Sequence, residues 1–177
     1  VAMDSERARA LALPPMVSRN EDSKGTAFTI TVDVKAGITT GISAQERANT
    51  ARALADSASV ASDFVRPGHI FPLIAHPDGL AGRRGHTEAG VALCQLTGLP
   101  RTAALSELVN DDGTMMRGAQ LREFAQQWSI PTISIAELAE LNYSHPFIAT
   151  HAEVAARSLL PRVGANWKIM VVKGAEG

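Results

Sequence analysis

The chain has 177 residues, of which 45% are hydrophobic and 20% charged, a composition that excludes a disordered or fibrous protein and predicts one globular domain. Lysine and arginine total 17 against 18 acidic residues, so the chain has no excess of positive charge to attract nucleic acid or an anionic membrane, and such partners are disfavoured. Cys94 is the single cysteine, which excludes an intrachain disulfide, and no apolar run reaches the roughly 20 residues of a membrane span. We therefore expect a soluble, cytoplasmic protein without nucleic-acid or membrane partners.

The first half of the chain predicts a strand, a helix and an irregular segment. Residues 28–33 alternate apolar and polar side chains, which is the period of a strand with one buried face. Ser43 and Glu46 form a capping box at the start of a helix that runs to about Ala55. Residues 63–77 contain three prolines and a glycine, so we expect an extended loop or edge segment there.

A second helix is predicted from Thr87, as its N-cap, to Leu96, with Gly98 at the position that ends it. The apolar run at residues 103–109 follows and is typical of a buried strand. It holds one carboxylate, Glu107, whose burial would be costly unless the group is paired, metal-bound or functional. Glu107 is therefore a candidate functional residue, and an ion pair with an arginine at the core edge is the structural alternative.

The remaining elements complete an α/β pattern. They are a turn at residues 110–113, a helix whose apolar face comprises Leu121, Phe124, Ala125 and Trp128, a strand at residues 130–135, capping boxes at Ser134–Glu137 and Thr150–Glu153, and a strand at residues 168–172. Strands that alternate with helices predict an α/β domain in which helices cover a mixed sheet.

Two stretches carry residues suited to chemistry. The stretch Arg83-Arg84-Gly85-His86-Thr87 lies at a predicted helix start, where free N–H groups, the helix dipole and an arginine attract phosphate. The alternative is a capped helix with solvated arginines. His69 follows a proline and a glycine that could aim its imidazole at a site, although an isolated loop histidine is usually inert.

Five motifs resemble, in their order and spacing, the 3,4-dihydroxy-2-butanone 4-phosphate synthase family. They are Gly25-Thr26-Ala27-Phe28-Thr29, Thr40-Gly41-Ile42-Ser43-Ala44, Arg66-Pro67-Gly68-His69, Arg83-Arg84-Gly85-His86-Thr87-Glu88-Ala89 and Glu107-Leu108-Val109-Asn110-Asp111-Asp112-Gly113-Thr114-Met115. The resemblance covers residues 1–141, and five ordered motifs are far more specific than any one of them.

The resemblance implies a lyase that converts D-ribulose 5-phosphate to formate and L-3,4-dihydroxy-2-butanone 4-phosphate in riboflavin synthesis, with Mg²⁺ or Mn²⁺ as the cofactor. It implies that His69 and Glu107 are catalytic and that His86 is a metal ligand. It also implies a homodimer with active sites at the subunit interface, into which His69 reaches. The substrate-binding residues that it implies are Arg83, Arg84, Gly85, His86, Thr87 and Glu107.

One departure from the family pattern leaves alternatives open. The family's domain opens with an acidic segment of the type Asp-Arg-Glu-Asn-Glu-Gly-Asp, and nothing similar precedes residues 11–16. We expect that Val1 lies inside the domain, so that the first part is either missing from this sequence or lost from the protein. Without it, His86 alone would not hold magnesium. A catalytically inactive paralogue, acting as a dimer partner or phosphate-binding scaffold, is therefore the alternative function, and a lyase or isomerase for another sugar phosphate is a third.

The tail differs from the rest of the chain. The synthase resemblance ends at Leu141, and residues 159–164 resemble the opening of a GTP cyclohydrolase II domain, without its zinc motif. We expect residues 1–141 to form a synthase-like domain without its N-terminal segment, and residues 142–177 to be a linker or a degenerate start of the second domain.

Overall fold

The computed structural model describes residues 1–140 and 171–173. Its first half contains β1 (Ala2–Met3), α1 (Ser5–Ala10), β2 (Ala27–Phe28), β3 (Val32–Val34), α2 (Ala44–Ala55), β4 (Phe64–Ile70) and β5 (Leu73–Ile74). Its second half contains α3 (Gly79–Gly82), α4 (His86–Leu96), β6 (Thr102–Ala103), α5 (Gly118–Gln127), β7 (Thr132–Ser134), α6 (Ile135–Glu140) and β8 (Val171–Lys173). Within the described ranges, no helix is long and apolar enough to cross a membrane.

The strands form a mixed arrangement. A four-stranded sheet has the order β2-β5-β1-β6, in which β1 and β5 are parallel and the other pairs are antiparallel. Strands β3 and β4 form an antiparallel pair, and β7 and β8 form a parallel one. Helices interleave with these strands, and the predicted mixed α/β class is confirmed.

Helix α4 packs closely on the four-stranded sheet. Ala2, Ala75, Val91 and Ala103 form one buried cluster between them. A Cβ atom at Gly90 would lie 3.0 Å from the Cβ of Ala103, so the small residue lets the helix approach the strand. This packing sets the position of the first turn of α4, which carries the predicted anion site.

The predicted strand at residues 28–33 is divided in two. Its first residue, Phe28, belongs to β2, which pairs with β5. Its last residues, Val32 and Asp33, belong to β3, which pairs with β4. Between them the N–H of Thr29 donates to the carbonyl of Pro72 and that of Ile30 donates to Pro14. The chain changes pairing partners at this point, which the alternating pattern could not reveal.

The proline-rich segment is mostly extended. Residues 64–70 form β4, which pairs only with β3 among the described strands and is therefore an edge segment, as predicted. Pro67 has no N–H to donate and is tolerated in such a strand. A Cβ at Gly68 would collide with the backbone of Val32 and Asp33, so only glycine fits there.

Helix α2 begins as predicted, and α4 begins earlier than predicted. The hydroxyl oxygen of Ser43 accepts a hydrogen bond from the backbone N–H of Glu46, and the Glu46 carboxylate accepts one from the backbone N–H of Ser43. For α4 the N-cap is Gly85 rather than Thr87, because Thr87 is buried inside the first turn. The helix ends at Leu96 as predicted, and Gly98 has a φ of +68°.

The prediction of a buried strand at residues 103–109 is wrong. Strand β6 ends at Ala103, and the second half of the run pairs around the following turn instead of with the sheet: the N–H of Asn110 donates to the carbonyl of Thr114, and the N–H of Met116 donates to the carbonyl of Leu108. Glu107 lies beyond β6 and is exposed. Because Glu107 is not buried, the cost of burying a carboxylate is no longer an argument for a functional role of this residue. The predicted turn follows, with the Gly113 N–H donating to the carbonyl of Asn110 at 2.9 Å.

The last predicted elements are mostly present. Helix α5 buries Ala125 and brings Phe124 against Trp128 with ring centroids 6.2 Å apart, although Trp128 is 59% exposed. The predicted strand at residues 130–135 is shortened to β7, because Ile135 already begins α6 after the predicted Ser134–Glu137 capping box. Strand β8 agrees with the end of the strand predicted at residues 168–172, while the capping box at Thr150 and Glu153 lies outside the described residues.

Candidate functional site

The imidazole of His69 is held by a buried carboxylate. The Nδ1 atom of His69 lies 2.6 Å from Oδ2 of Asp33, and the backbone N–H of His69 donates to Oδ1 at 2.9 Å. The Asp33 side chain is 4% exposed, whereas that of His69 is 39% exposed. A carboxylate on Nδ1 orients the ring and leaves Nε2 available for proton exchange with a bound molecule.

A break in strand register produces this pair. The β4 partner changes from Ile70 opposite Val32 to Val65 opposite Asp33, so residues 66–69 bulge out of the ladder. The bulge turns the N–H of His69 toward the Asp33 side chain instead of a backbone carbonyl. Asp33 was not among the predicted site residues, because the sequence places it only on the polar face of a strand.

Gly41 lies directly against this pair. A Cβ atom there would collide with Oδ2 of Asp33 and lie 2.9 Å from Nδ1 of His69, and the glycine has a φ of +82°. Both the close approach and the left-handed backbone require glycine. Beside the pair is a cleft of about 350 Å³ that is lined by Val1, Ala44, Arg47, Ala48, Ala51, His69, Ile70, Phe71, Ala104 and Leu105.

Arg83 is tied to the first turn of α4 and to a neighbouring loop. Its Nη1 donates to Oε2 of Glu88 at 2.8 Å, its Nε to the carbonyl of Lys24 at 3.0 Å, and its Nη2 to Oγ1 of Thr26 at 3.2 Å. The Glu88 side chain is 1% exposed, and its other oxygen accepts the N–H of His76. Neither Glu88 nor Thr26 was predicted as a site residue.

The loop that reaches Arg83 is internally ordered. Oδ2 of Asp22 accepts the N–H of Thr26 at 2.7 Å, and the side chain of Asn20 donates to the carbonyl of Thr26. The hydrogen bond from the Thr26 backbone is the main cause that lowers the pKa of Asp22, and the charge of Arg83 adds to it. This loop therefore presents Thr26 and the Lys24 carbonyl to Arg83 in a defined geometry.

The predicted anion-binding stretch is assembled at one helix end. Gly85 is the N-cap of α4, and a Cβ atom there would collide with Nη1 of Arg83. Thr87 is buried in the first turn, whereas Arg84 and His86 are exposed. Free N–H groups of this turn and the guanidinium of Arg83 form a site that attracts an anion.

The predicted site residues fall into separate groups. No hydrogen bond within residues 1–140 joins the Asp33–His69 pair to the Arg83–Glu88 pair. Glu107 lies two residues beyond Leu105, which lines the cleft beside His69. The described residues contain no group of three or more histidine, cysteine, aspartate or glutamate side chains able to hold a metal ion. His86 is therefore a single exposed donor there, which does not complete a magnesium site.

Comparison with known proteins agrees with this assignment of motifs. The model of the family 3,4-dihydroxy-2-butanone 4-phosphate synthase matches residues 1–141. The synthase of Agrobacterium fabrum is 53% identical over 138 residues, which are 78% of this chain and 65% of that protein. The synthase of Saccharomyces cerevisiae is 57% identical over 125 residues, which are 70% of this chain and 60% of that protein.

Longer relatives and solved structures match as well. The riboflavin biosynthesis protein RibBA of Mycobacterium marinum is 45% identical over 163 residues, covering 91% of this chain and 38% of that protein. A crystal structure of a synthase in complex with two magnesium ions superposes with a TM-score of 0.69 at 40% identity, covering 77% of this chain and 69% of that one. The chain spans about two thirds or less of the curated relatives described here. It belongs to the 3,4-dihydroxy-2-butanone 4-phosphate synthase family.

Proposed function

We propose that the protein converts D-ribulose 5-phosphate to formate and L-3,4-dihydroxy-2-butanone 4-phosphate, a step of riboflavin synthesis. The observation that carries this proposal is the anion-attracting first turn of α4, with Arg83 fixed beside it, in a chain that matches the synthase family over residues 1–141. The relatives named as synthases at 53% and 57% identity support the same reaction.

The phosphate group of the substrate is assigned to the start of α4. Arg83 uses three of its five N–H donors within the protein and keeps one on each terminal nitrogen for phosphate oxygens. Gly85 lets the anion approach the backbone of the first helical turn, where Thr87 lies, and the exposed Arg84 adds positive charge. His86 completes this set of substrate contacts.

Proton transfer is assigned to His69 and Glu107. Asp33 holds Nδ1 of His69, so Nε2 is the atom that exchanges a proton with the substrate. Glu107 is an exposed carboxylate, and we assign it substrate binding and the second acid/base role that the enolisation and rearrangement require. Its role now rests on the family motif rather than on burial.

A divalent ion, Mg²⁺ or Mn²⁺, is proposed as the cofactor of the full-length protein. The synthase structure with two magnesium ions supports this requirement. His86 is the ligand that we assign among the described residues, and the roles given to the other side chains do not depend on the ion. Loss of activity in EDTA that returns on addition of Mg²⁺ or Mn²⁺, but not Ca²⁺, is the expected outcome.

We also propose a homodimer in which His69 of one protomer serves the site of its partner. Phe71, two residues after His69, is 51% exposed and meets Phe28, which is 40% exposed, edge to face with ring centroids 6.5 Å apart. Such apolar exposure beside a functional residue is typical of a subunit interface. A monomeric, fully active species in ultracentrifugation would contradict this assignment.

The composition of the chain and its longer matches support two further proposals, on the location of the protein and on residues 142–177. A cytoplasmic location and the absence of nucleic-acid and membrane partners fit the balanced charge and the single cysteine. For residues 142–177 we propose a linker or a degenerate start of a cyclohydrolase-like domain, in agreement with the longer match to the mycobacterial protein.

Formate release from D-ribulose 5-phosphate by the full-length protein tests the proposed reaction. Formate and the four-carbon phosphate should form in equal amounts in the presence of Mg²⁺. A protein that binds phosphate but releases no formate would be the inactive paralogue instead. Turnover of another sugar phosphate in a substrate panel would indicate a related lyase or isomerase.

A further inference from the structure

Glu88 is a buried carboxylate beside the proposed phosphate site. It is the third residue of α4 and only 1% exposed. Oε2 accepts from Nη1 of Arg83 at 2.8 Å, and Oε1 accepts the backbone N–H of His76 at 2.9 Å. Both oxygens are thus occupied by hydrogen bonds, and the carboxylate lies in the first turn of the helix.

Arg83 in turn is held on three sides. Glu88, Thr26 and the Lys24 carbonyl each take one N–H, so the guanidinium plane has one orientation and its side chain is 25% exposed. The N–H groups that remain, one on each terminal nitrogen, have no partner in the part of the chain that the structure describes.

We propose that Glu88 is a positioning residue that holds Arg83 ready to bind the substrate phosphate. This inference rests on the proposed function. An arginine that is ordered before binding loses no further side-chain freedom when the anion arrives, so the contact strengthens binding more than that of a mobile arginine. Glu88 uses only one N–H of Nη1 and therefore orients the guanidinium without blocking it.

Gly85 lies directly against the same ion pair. A Cβ atom at this position would collide with Nη1 of Arg83 and lie 2.6 Å from Oε2 of Glu88. The φ of Gly85 is −112°, which any residue adopts, so Gly85→Ala disturbs the ion pair without backbone strain.

The first experiment measures KM and kcat of the full-length protein with D-ribulose 5-phosphate. Glu88→Gln keeps the size of the side chain but replaces one acceptor oxygen by an amide NH2 group. This group then faces either Nη1 of Arg83 or the backbone N–H of His76, and both of these are donors. We expect KM to rise about tenfold and kcat to change less than twofold, because a phosphate contact persists from ground state to transition state. Glu123→Gln, an exposed carboxylate on α5, is the matched control and should change neither constant.

A double mutant separates positioning from a structural role. If Glu88 acts through Arg83, Arg83→Ala raises KM and adding Glu88→Gln raises it no further. If Glu88 serves only to stabilise the fold, Glu88→Gln lowers the melting temperature and the active fraction in both backgrounds and leaves KM unchanged. The second result overturns the inference, as does an additive rise of KM in the double mutant.

Titration with inorganic phosphate in a calorimeter tests the inference without turnover. The wild-type protein should bind phosphate, and both Glu88→Gln and Gly85→Ala should weaken that binding about tenfold. Equal affinity in the folded variants overturns the inference, and so does failure of the wild type to bind. Wild-type protein that binds phosphate but releases no formate contradicts the proposed function, while loss of binding in the variants still supports Glu88. If circular dichroism shows Glu88→Gln unfolded, Glu88→Asp, which keeps the charge but shortens the reach to Nη1 of Arg83, replaces it: weaker phosphate binding supports the inference, and unchanged binding overturns it.

Discussion

Asp33 orients His69 through two contacts, with Oδ2 lying 2.6 Å from Nδ1 of the ring and Oδ1 accepting the backbone N–H at 2.9 Å. The acceptor is buried, and the imidazole is partly open to solvent. This arrangement selects the tautomer with the proton on Nδ1 in the neutral ring, and the same carboxylate stabilises the ring when it takes up a second proton.

Replacing Asp33 with asparagine should therefore impair turnover. The amide cannot balance the charge of a protonated imidazole, and its N–H group favours the other tautomer. We expect kcat to fall on the order of 10²-fold or more with a folded protein, measured by formate release and circular dichroism. Asp111→Asn, in the exposed turn after Asn110, is the matched control. Unchanged kcat in Asp33→Asn would show that the pair only supports the bulge.

Glu107→Gln should reduce turnover without affecting stability. Because Glu107 is exposed, the free energy of unfolding should change by less than about 0.5 kcal/mol. Loss of its proton-accepting oxygen should lower kcat on the order of 10²-fold, with a smaller change in substrate affinity. Enzyme kinetics measure the change in kcat, and thermal melting of the same preparation measures the change in stability. Intact turnover with a lower melting temperature would identify Glu107 as a structural residue.

Arg7→Ala should destabilise the protein. The Arg7 guanidinium donates to carbonyls at the end of α2 and in the loop after it, namely those of Ala53, Leu54, Asp56 and Ser59. Terminal carbonyls of a helix need such partners, and their loss should cost about 2 kcal/mol of unfolding free energy in urea titration. The exposed Arg9, on the same helix α1, provides the control, and an equal effect of Arg9→Ala would contradict this account.

Glu46 should make the stability of α2 depend on pH. Hydrogen bonds from the backbone and hydroxyl of Thr39, then from Ser43, lower the pKa of Glu46 from 4.5 to about 2. A carboxylate with a lowered folded-state pKa contributes stability that is complete above its unfolded pKa and is lost as pH falls through the folded one. The stability difference between wild type and Glu46→Gln should therefore be constant above about pH 5 and shrink between pH 4.5 and 2.

Urea titrations at several pH values measure this difference. Glu123→Gln, which changes an exposed carboxylate on α5, should show no such window. A difference between wild type and Glu46→Gln that persists unchanged at pH 2 would mean that the capping box does not depend on the charge of Glu46.

The sequence alone was sufficient wherever a feature depends on residues close together in the chain. The capping boxes at Ser43 and Ser134, the turn at residues 110–113 and the end of α4 at Leu96 are local patterns, and the structure contains each of them. Ordered motifs also indicated the family. These features can be predicted from the sequence because the side chain and the backbone group that interact lie within a few residues of each other.

Tertiary structure decided the features that join distant residues. Asp33 meets His69 across 36 positions through a register break between two strands, and neither strand's alternation reveals that break. Glu107 is exposed because the residues that follow it pair across the turn at residues 110–113 rather than with the sheet, although its apolar neighbours favoured burial. Arg83 is aligned by a loop nearly 60 residues earlier as well as by Glu88. Strand register and loop packing depend on the whole fold, whereas helix caps and turns depend on their own few residues.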